Sequence, residues 1–349
     1  DILGQGFIAA PSMLARLDAG EGAAPCGSGP YRFEEAGPEG VTARAVEGHW
    51  RGMPANARVR WSAEPSAAAR VARLRTGEAE VACDLHPEAA ARLGDGFACV
   101  EHVDPVSIIF LMNAARGPLA EARVRRALAT ALDREAMGRA GRGGAARALH
   151  GFMAPVAMGA AGGRVLAPDA EEARRLLEAA GVWDGLALSV DCPTRLPDEA
   201  EALTAELGRQ LAPLGVTLDV TLHEDREAYA HRVRRSEVGD LCVFDSSPLS
   251  TFRVLYEKID GRVRGSWWQG YSNAGVEALL DEARGTADAA AREAVYARAY
   301  AALQEDPAWL TLYNPVQITA FAGRHEGLSM PADAVLDVAA LPALGGAAR

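Results

Sequence analysis

The clearest pattern in the chain is a short, unbroken apolar run, Leu241-Cys242-Val243-Phe244, that stops at Asp245-Ser246-Ser247-Pro248. Four consecutive apolar residues ended by turn formers predict a strand buried on both faces. Ser107 to Met112, carrying Ile108, Ile109, Phe110 and Leu111, predicts a second such strand, broken by Asn113 and Gly117-Pro118. Alternation marks strands with one wet face: Val41 to Val46, then Ala57 to Ala63, where Val59 and Trp61 interleave with Arg58 and Arg60. Before them, Cys26-Gly27-Ser28-Gly29-Pro30 is a turn feeding a strand at Tyr31 to Phe33.

Helical spacing fills much of the rest. Ser66 predicts an N-cap for a helix through Arg75, with Val71 and Leu74 on its apolar side and Gly77 as its stop. Val124, Ala127, Leu128, Ala131 and Leu132 predict another, with Arg123, Arg125, Arg126 and Arg134 on a solvated face. Further helices are expected at 169–180, 198–214, 225–235, 274–285 and 288–304, and extended segments at 79–82, 186–191, 216–222 and 309–322. The residues before Cys26 show little pattern, and 138–168 reads as a Gly/Ala-rich loop. Strands alternating with helices place the chain in the α/β class.

Composition narrows the function classes. With 36 basic and 47 acidic residues the net charge is −11, which opposes a nucleic-acid partner and does not favour anionic membranes. Nearly all the basic residues are Arg; Lys258 is the only Lys, which together with abundant Ala and Gly reads as codon bias. No apolar run approaches a membrane span, and the chain opens at Asp1 without the pattern of a leader. Cys26, Cys83, Cys99, Cys192 and Cys242 are odd in number and irregularly spaced, which predicts buried free thiols. The seven His are scattered, so no metal site and no cofactor are expected.

Catalytic signatures are missing. There is no G-x-S-x-G, H-E-x-x-H or P-loop, and Gly141-Arg142-Gly143-Gly144 lacks the Lys and Ser a phosphate loop needs. His223-Glu224-Asp225 stands where a strand enters a helix, so Asp225 reads as an N-cap. Ser246 and Ser247 have no nearby His to act as a base. The expectation is a protein that is not an enzyme.

Five segments, in order, resemble the family 5 extracellular solute-binding proteins, which serve ABC importers of dipeptides, oligopeptides, nickel complexes and related solutes. Gly27-Ser28-Gly29-Pro30-Tyr31 is similar to the family's G-T-G-P-Y, and His49-Trp50-Arg51-Gly52-Met53-Pro54 to its W-x-G-x-P loop. Ala67 to Val81 resembles the helix and G-E-x-D turn that follow. Pro118, Val124-Arg125-Arg126-Ala127-Leu128 and Asp133-Arg134 are similar to P-F…R-V-R-Q-A-L…D-R, and Gly270-Tyr271-Ser272-Asn273 with Leu279-Leu280 to G-Y-S-N…L-L. The resemblance implies a two-lobed periplasmic-binding-protein-like (type II) fold closing on its solute like a hinged clamp. It begins well inside the family's usual length, so an N-terminally truncated member is expected, without leader, first strands or small extra domain. The implied lobes are 1–110 completed by 321–349, and 111–320.

For the site, the resemblance implies that Asp245, just after a strand of the second lobe, pairs with a peptide's α-amino group, Ser246 and Ser247 beside it. The segment after Asp245 is shorter than the family's D-x-x-D-P. Trp267, Trp268 and Tyr271, set among turn residues in 265–273, are candidate ligand walls, because large rings offer apolar faces at low entropic cost. Arg116 is a candidate for a carboxylate, and Asn113 completes the set. The expected partners are a short peptide or other small solute and the permease subunits of an ABC importer, for a monomer in the periplasm or outside the cell. The alternative is the cytoplasmic ligand-sensing domain of a transcriptional regulator with the same fold.

Overall fold

The computed structural model describes residues 9–21, 25–160, 164–183, 185–195, 197–246, 250–323 and 328–344. The chain divides into two compact units, one of residues 1–102 with 317–349 and one of residues 103–316.

In the first unit, helix α1 (Pro11–Asp18) precedes an antiparallel meander of β1 (Tyr31–Gly37), β2 (Gly40–Ala45) and β3 (Arg58–Trp61). Helix α2 (Ala67–Thr76) follows, then β4 (Val81–Leu85), the short α3 (Pro87–Ala90) and β5 (Phe97–Val103). Ser66 caps α2 by accepting from the Ala69 amide, and Gly77 ends it in the left-handed region at φ 76°. Val71 and Leu74 of α2 pack with Ala82, Leu85, Leu93, Ile318 and Ala320 in this unit's core. The regular α1 is an addition to the sequence reading, as is β5. None of the residues of α1 is buried, so the helix leaves no deep apolar stripe in the sequence.

The second unit is built on a mixed sheet. Its strands are β6 (Ser107–Met112), β8 (Leu186–Pro193), β9 (Val216–His223), β10 (Leu241–Ser246), the first part of β11 (Trp309–Ala322), and the short β7 (Ala146–Ala148). Within this unit β11 pairs antiparallel with β6 and β7, β6 antiparallel with β10, and β10, β8 and β9 run parallel. Ile108, Phe110 and Met112 of β6 and Leu241 and Val243 of β10 enter one core with helices α4 (Ala122–Ala131), α6 (Ala170–Ala179) and α7 (Ala200–Leu211). Ile109, Leu111, Cys242 and Phe244 enter a second core with α8 (Arg226–Arg234), α9 (Thr251–Lys258), α10 (Ala274–Gly285) and α11 (Ala289–Glu305). Successive strand residues point to opposite faces, and both faces are covered, which is why these strands read as unbroken apolar runs.

Three sequence expectations need correction here. Of the loop expected at 138–168, residues 138–142 instead finish helix α5 (Arg134–Arg142) and 146–148 form β7, while 149–160 and 164–168 are irregular. Gly141 serves close packing, since a Cβ there would lie 2.5 Å from the Tyr313 hydroxyl, and Gly143 ends the helix in the left-handed region at φ 58°. Arg125 and Arg134 do not lie on a solvated face but are 4% and 3% exposed. Arg125 Nε donates to the Pro307 carbonyl at 3.0 Å, its Nη1 to Leu119 at 2.8 Å, and its Nη2 to the Asp306 carboxylate. Arg134 Nε donates to the Thr311 carbonyl at 2.9 Å, and burial lowers its pKa to about 10. A guanidinium fork can satisfy several carbonyls at once, so Arg134 ties α5 to β11 and Arg125 ties α4 to residues 306–307 just before it. Lastly, Cys26, Cys83 and Cys99 are exposed, and only Cys192 and Cys242 are buried; all five are free thiols.

Candidate functional site

The polar end of β10 is where the second unit concentrates charge. Antiparallel pairing sets Asp245 opposite Ile108 and Ser246 opposite Ser107, so two apolar strands finish together in polar residues. Two helices bring cations to this end. Asp225 caps α8 by accepting from the Glu227 and Ala228 amides at 3.0 Å, which fixes the first-turn Arg226 beside the strand. Arg226 Nη2 stands 3.6 Å from Asp245 Oδ1, with its guanidinium 4.9 Å from the centre of the Phe244 ring. Ser250 caps α9 through the Arg253 amide, and Lys258, the last residue of that helix, donates from Nζ to Ser246 Oγ at 3.0 Å. Across the strand pair, Asn314 Nδ2 donates to Ser107 Oγ at 3.3 Å and to the Val106 carbonyl at 2.9 Å. The Asn314 Oδ1 is buried and has no hydrogen-bond partner among the described residues.

For both charges at this end burial outweighs the pull of opposite charge. Burial raises the Asp245 pKa, against the opposing pull of Arg226 and Lys258, and Asp104 adds to the rise. Burial likewise lowers the Lys258 pKa, against Asp245 and Glu257, with Arg253 adding to the fall. Desolvation is the dominant cause in each case. Beside Arg226 lies a recess of ≈ 600 Å³ lined by Arg195, Glu224, Asp225, Arg226 and Glu227. A second, apolar recess of ≈ 540 Å³ lies between α7 and β9, lined by Thr204, Gly208, Leu218 and Val220 among others; neither recess is lined by any of the predicted site residues.

The aromatic loop is mostly committed to structure. Tyr271 is 2% exposed, donates its hydroxyl to the Asp306 carbonyl at 3.1 Å, and packs under the Arg125 guanidinium. As a ligand wall it is corrected to a core ring, because no face of it is open. Trp268 Nε1 donates to the Tyr271 carbonyl at 2.7 Å, and the Trp268 carbonyl accepts from Ser236 Oγ at 2.9 Å. Gln269 Nε2 donates to the Val233 carbonyl at 2.7 Å. Gly270 (φ 85°) lets the loop touch the 113–115 backbone, since a Cβ there would lie 2.2 Å from the Ala115 nitrogen. Trp267 differs from its neighbours. It is partly buried at φ 74°, a strained position for a bulky residue, with its ring 4.7 Å from that of Phe244, the residue before Asp245.

Asn113 and Arg116 are likewise occupied. Asn113 is buried, with Nδ2 donating to the Val238 and Gly239 carbonyls at 3.3 and 3.2 Å and Oδ1 accepting from the Ala115 amide. Arg116 Nη2 donates to the same Val238 carbonyl at 2.8 Å. Both clasp the turn that leads into β10. Ser247 lies outside the described residues. Of the predicted residues the structure therefore brings together Asp245 and Ser246, with Trp267 reaching them through Phe244. It adds Arg226, Lys258 and Ser107. Lys258 had a signal in the sequence as the sole lysine, but it was absorbed into codon bias. Among the described residues no group of three His, Cys, Asp or Glu is placed to hold a metal ion. No described helix is long and apolar enough to cross a membrane.

Comparison with known proteins gives the family of this α/β chain. The profile of bacterial extracellular solute-binding proteins, family 5 Middle, matches residues 7–245, and the chain belongs to this family. Similar sequences include the glutathione-binding protein GsiB of Salmonella typhimurium (strain LT2), 26% identical over 330 residues, covering 91% of this chain and 64% of the relative. Another is the di/tripeptide-binding protein 2 of Pseudomonas aeruginosa (strain UCBPP-PA14), 26% identical over 322 residues, covering 88% of this chain and 59% of the relative. The chain thus spans somewhat less than two thirds of these relatives' length. Among solved structures, HbpA2 from Haemophilus parasuis superposes with TM-score 0.78 at 19% identity, over 94% of this chain and 67% of that one. The periplasmic binding protein DppA from Helicobacter pylori, in complex with peptide STSA, gives TM-score 0.75 at 19% identity over the same shares. The fold is that of the family 5 periplasmic binding proteins.

Proposed function

We propose that this chain is the solute-binding component of an ABC importer, capturing a short peptide or a similar amine-bearing solute without transforming it. In this reading it works as a monomer in the periplasm or outside the cell, and hands its solute to the permease subunits. Family membership over residues 7–245 supports the class, and the names of the relatives (a glutathione-binding and a di/tripeptide-binding protein) support the solute class.

The observation that carries the reading is Asp245. Its carboxylate stands at the end of a buried strand, its pKa raised by desolvation, with the Arg226 guanidinium 3.6 Å away as a loose partner that a solute ammonium would join. A charge-assisted hydrogen bond of this kind contributes about 1.5–3 kcal/mol once water is excluded. Ser246 beside it and the partly buried Trp267 ring are the neighbouring contacts in this proposal.

Native mass spectrometry of the purified chain tests it. The expected result is a co-purifying mass of a peptide or amine-bearing solute, lost in Asp245→Asn. If neither a bound mass nor a saturable thermal shift appears with a dipeptide and tripeptide library that includes glutathione, the reading is overturned.

A further inference from the structure

We infer that the buried pair Asp191 and His223 are positioning residues: together they fix the corner where β9 turns into α8, and so hold Arg226 of that helix beside Asp245 of β10. This rests on the function proposed above and names two residues, away from the charged strand end, that set the geometry of the site.

Asp191 of β8 is 6% exposed, and its two oxygens serve different elements. Oδ1 accepts from His223 Nε2 at 2.5 Å, and Oδ2 accepts from the Gly239 amide at 2.6 Å, in the turn that leads into β10. Arg232 of α8 brings its Nη2 to 3.8 Å from the same Oδ1. The end of β9, the helix α8 and the entry to β10 thus meet on one carboxylate. His223 is the last residue of β9 and stands three residues before Arg226. Its carbonyl accepts from the Thr194 amide at 3.0 Å, and its ring lies 5.3 Å from that of Tyr229. Tyr229 in turn donates to the Val243 carbonyl at 2.5 Å, and the Arg226 guanidinium lies 5.8 Å from the centre of its ring. On its other side the corner faces the ≈ 600 Å³ recess lined by Arg195 and residues 224–227, so its restraint comes from the inner side.

A carboxylate is costly to desolvate, and a well-packed apolar side chain would hold β8 against α8 as firmly. What an apolar side chain does not supply is direction: the two oxygens fix where β9 ends and where β10 begins. One of these elements leads to Arg226 and the other to Asp245, whose charged groups stand 3.6 Å apart. Arg226 is the foremost of the charges that oppose burial at Asp245, ahead of Lys258, while Asp104 acts the other way. A corner that lets Arg226 drift therefore leaves the Asp245 proton harder to remove. Around the pair itself the charged and titratable neighbours are Arg232 and Tyr229 on α8 and Cys242 on β10.

The test is a carbon-13 NMR titration of the Asp245 carboxyl in the purified chain without solute, its signal assigned by Asp245→Asn, and repeated in His223→Leu and His223→Gln. Leu and Gln are both uncharged, so a difference between them reads the hydrogen bond to Asp191 and not a lost charge. We expect the Asp245 titration to move to higher pH in His223→Leu and to return most of the way in His223→Gln, whose amide can donate to Asp191. A dipeptide whose binding is lost in Asp245→Asn should then bind His223→Leu about threefold or more weakly at about pH 5, the gap closing toward about pH 8. A pair that is only structural would lower the melting temperature and leave the Asp245 titration where it is, and that result overturns the inference. So does a shift that His223→Gln shares in full, or equal dipeptide affinity at both pH values. Failure of every dipeptide to bind the unsubstituted chain overturns the proposed function alone, because the titration needs no solute. Circular dichroism checks that His223→Leu is folded; if it is not, Asp191→Asn, of the same shape, is titrated in its place and read in the same way.

Discussion

The aromatic loop at 265–273 and the charged end of β10 lie in the same unit and were both nominated by the sequence, yet they spend their polar groups differently. In the loop, the Tyr271 hydroxyl, the Trp268 indole and the Gln269 amide nitrogen each donate to a backbone carbonyl within the unit. At the strand end, Asp245 and Lys258 hold charges that burial disfavours and that no direct contact between them relieves. A buried polar group that is satisfied rigidifies the fold. The loop's donors are spent on backbone carbonyls, although the Gln269 Oε1 is buried without a partner among the described residues, so the two regions differ in buried charge more than in satisfied hydrogen bonds. Trp267 lies between the two: it belongs to the loop, but its ring leans on Phe244.

The largest effect that tests this contrast is in the loop. Tyr271→Ala removes a buried ring together with its hydrogen bond, and should cost about 3–5 kcal/mol in urea denaturation. A loss of under about 1 kcal/mol would make the loop a ligand surface after all. Next in size, Trp268→Phe keeps the ring volume roughly but deletes the Nε1 donor to the Tyr271 carbonyl, an expected loss of about 0.5–1.5 kcal/mol.

At the strand end the expected effects on stability are smaller and opposite in sign. The folded-state pKa of Asp245 is above its ordinary 3.8, so the folded state binds its proton more tightly than the unfolded chain does. The resulting contribution is greatest below 3.8 and is lost as pH rises through the raised value. Asp245→Asn should therefore leave stability at neutral pH unchanged or slightly higher, and remove this acid-side component from the pH profile of melting. The folded pKa of Lys258 is below its ordinary 10.5, so its ammonium disfavours folding below that folded value and the cost fades as pH climbs toward 10.5. The melting curves of the unsubstituted chain and Lys258→Met should converge over that window. Substitutions that destabilise strongly at neutral pH would show these charges to be structural, like the polar groups of the loop.

Much of the fold was legible because it follows from local pattern. Unbroken apolar runs marked β6 and β10, Ser66 and Asp225 marked helix starts, and Gly77 marked a stop; each rests on interactions within a few residues. The misreadings came where distant packing overrode that pattern. Gly141 looked like a breaker but lies where a helix meets the Tyr313 hydroxyl, and Arg125 looked solvated but ties a helix to the Pro307 carbonyl. Helix α9 was missed altogether, and with it the position of Lys258.

The sequence by itself determined the α/β class, the two doubly covered strands and the family, since the periodicity of burial and the order of short motifs are written along the chain. It also located Asp245, because a carboxylate ending an apolar strand is a local feature. Tertiary structure decided which neighbours that carboxylate has. Arg226 reaches it from one helix, Lys258 seats on the neighbouring Ser246 from another, and Tyr271, Asn113 and Arg116 are drawn away into the packing. The reason is physical: hydrophobic pattern fixes which face of an element is buried, but the partner of a polar side chain depends on where every other element comes to rest.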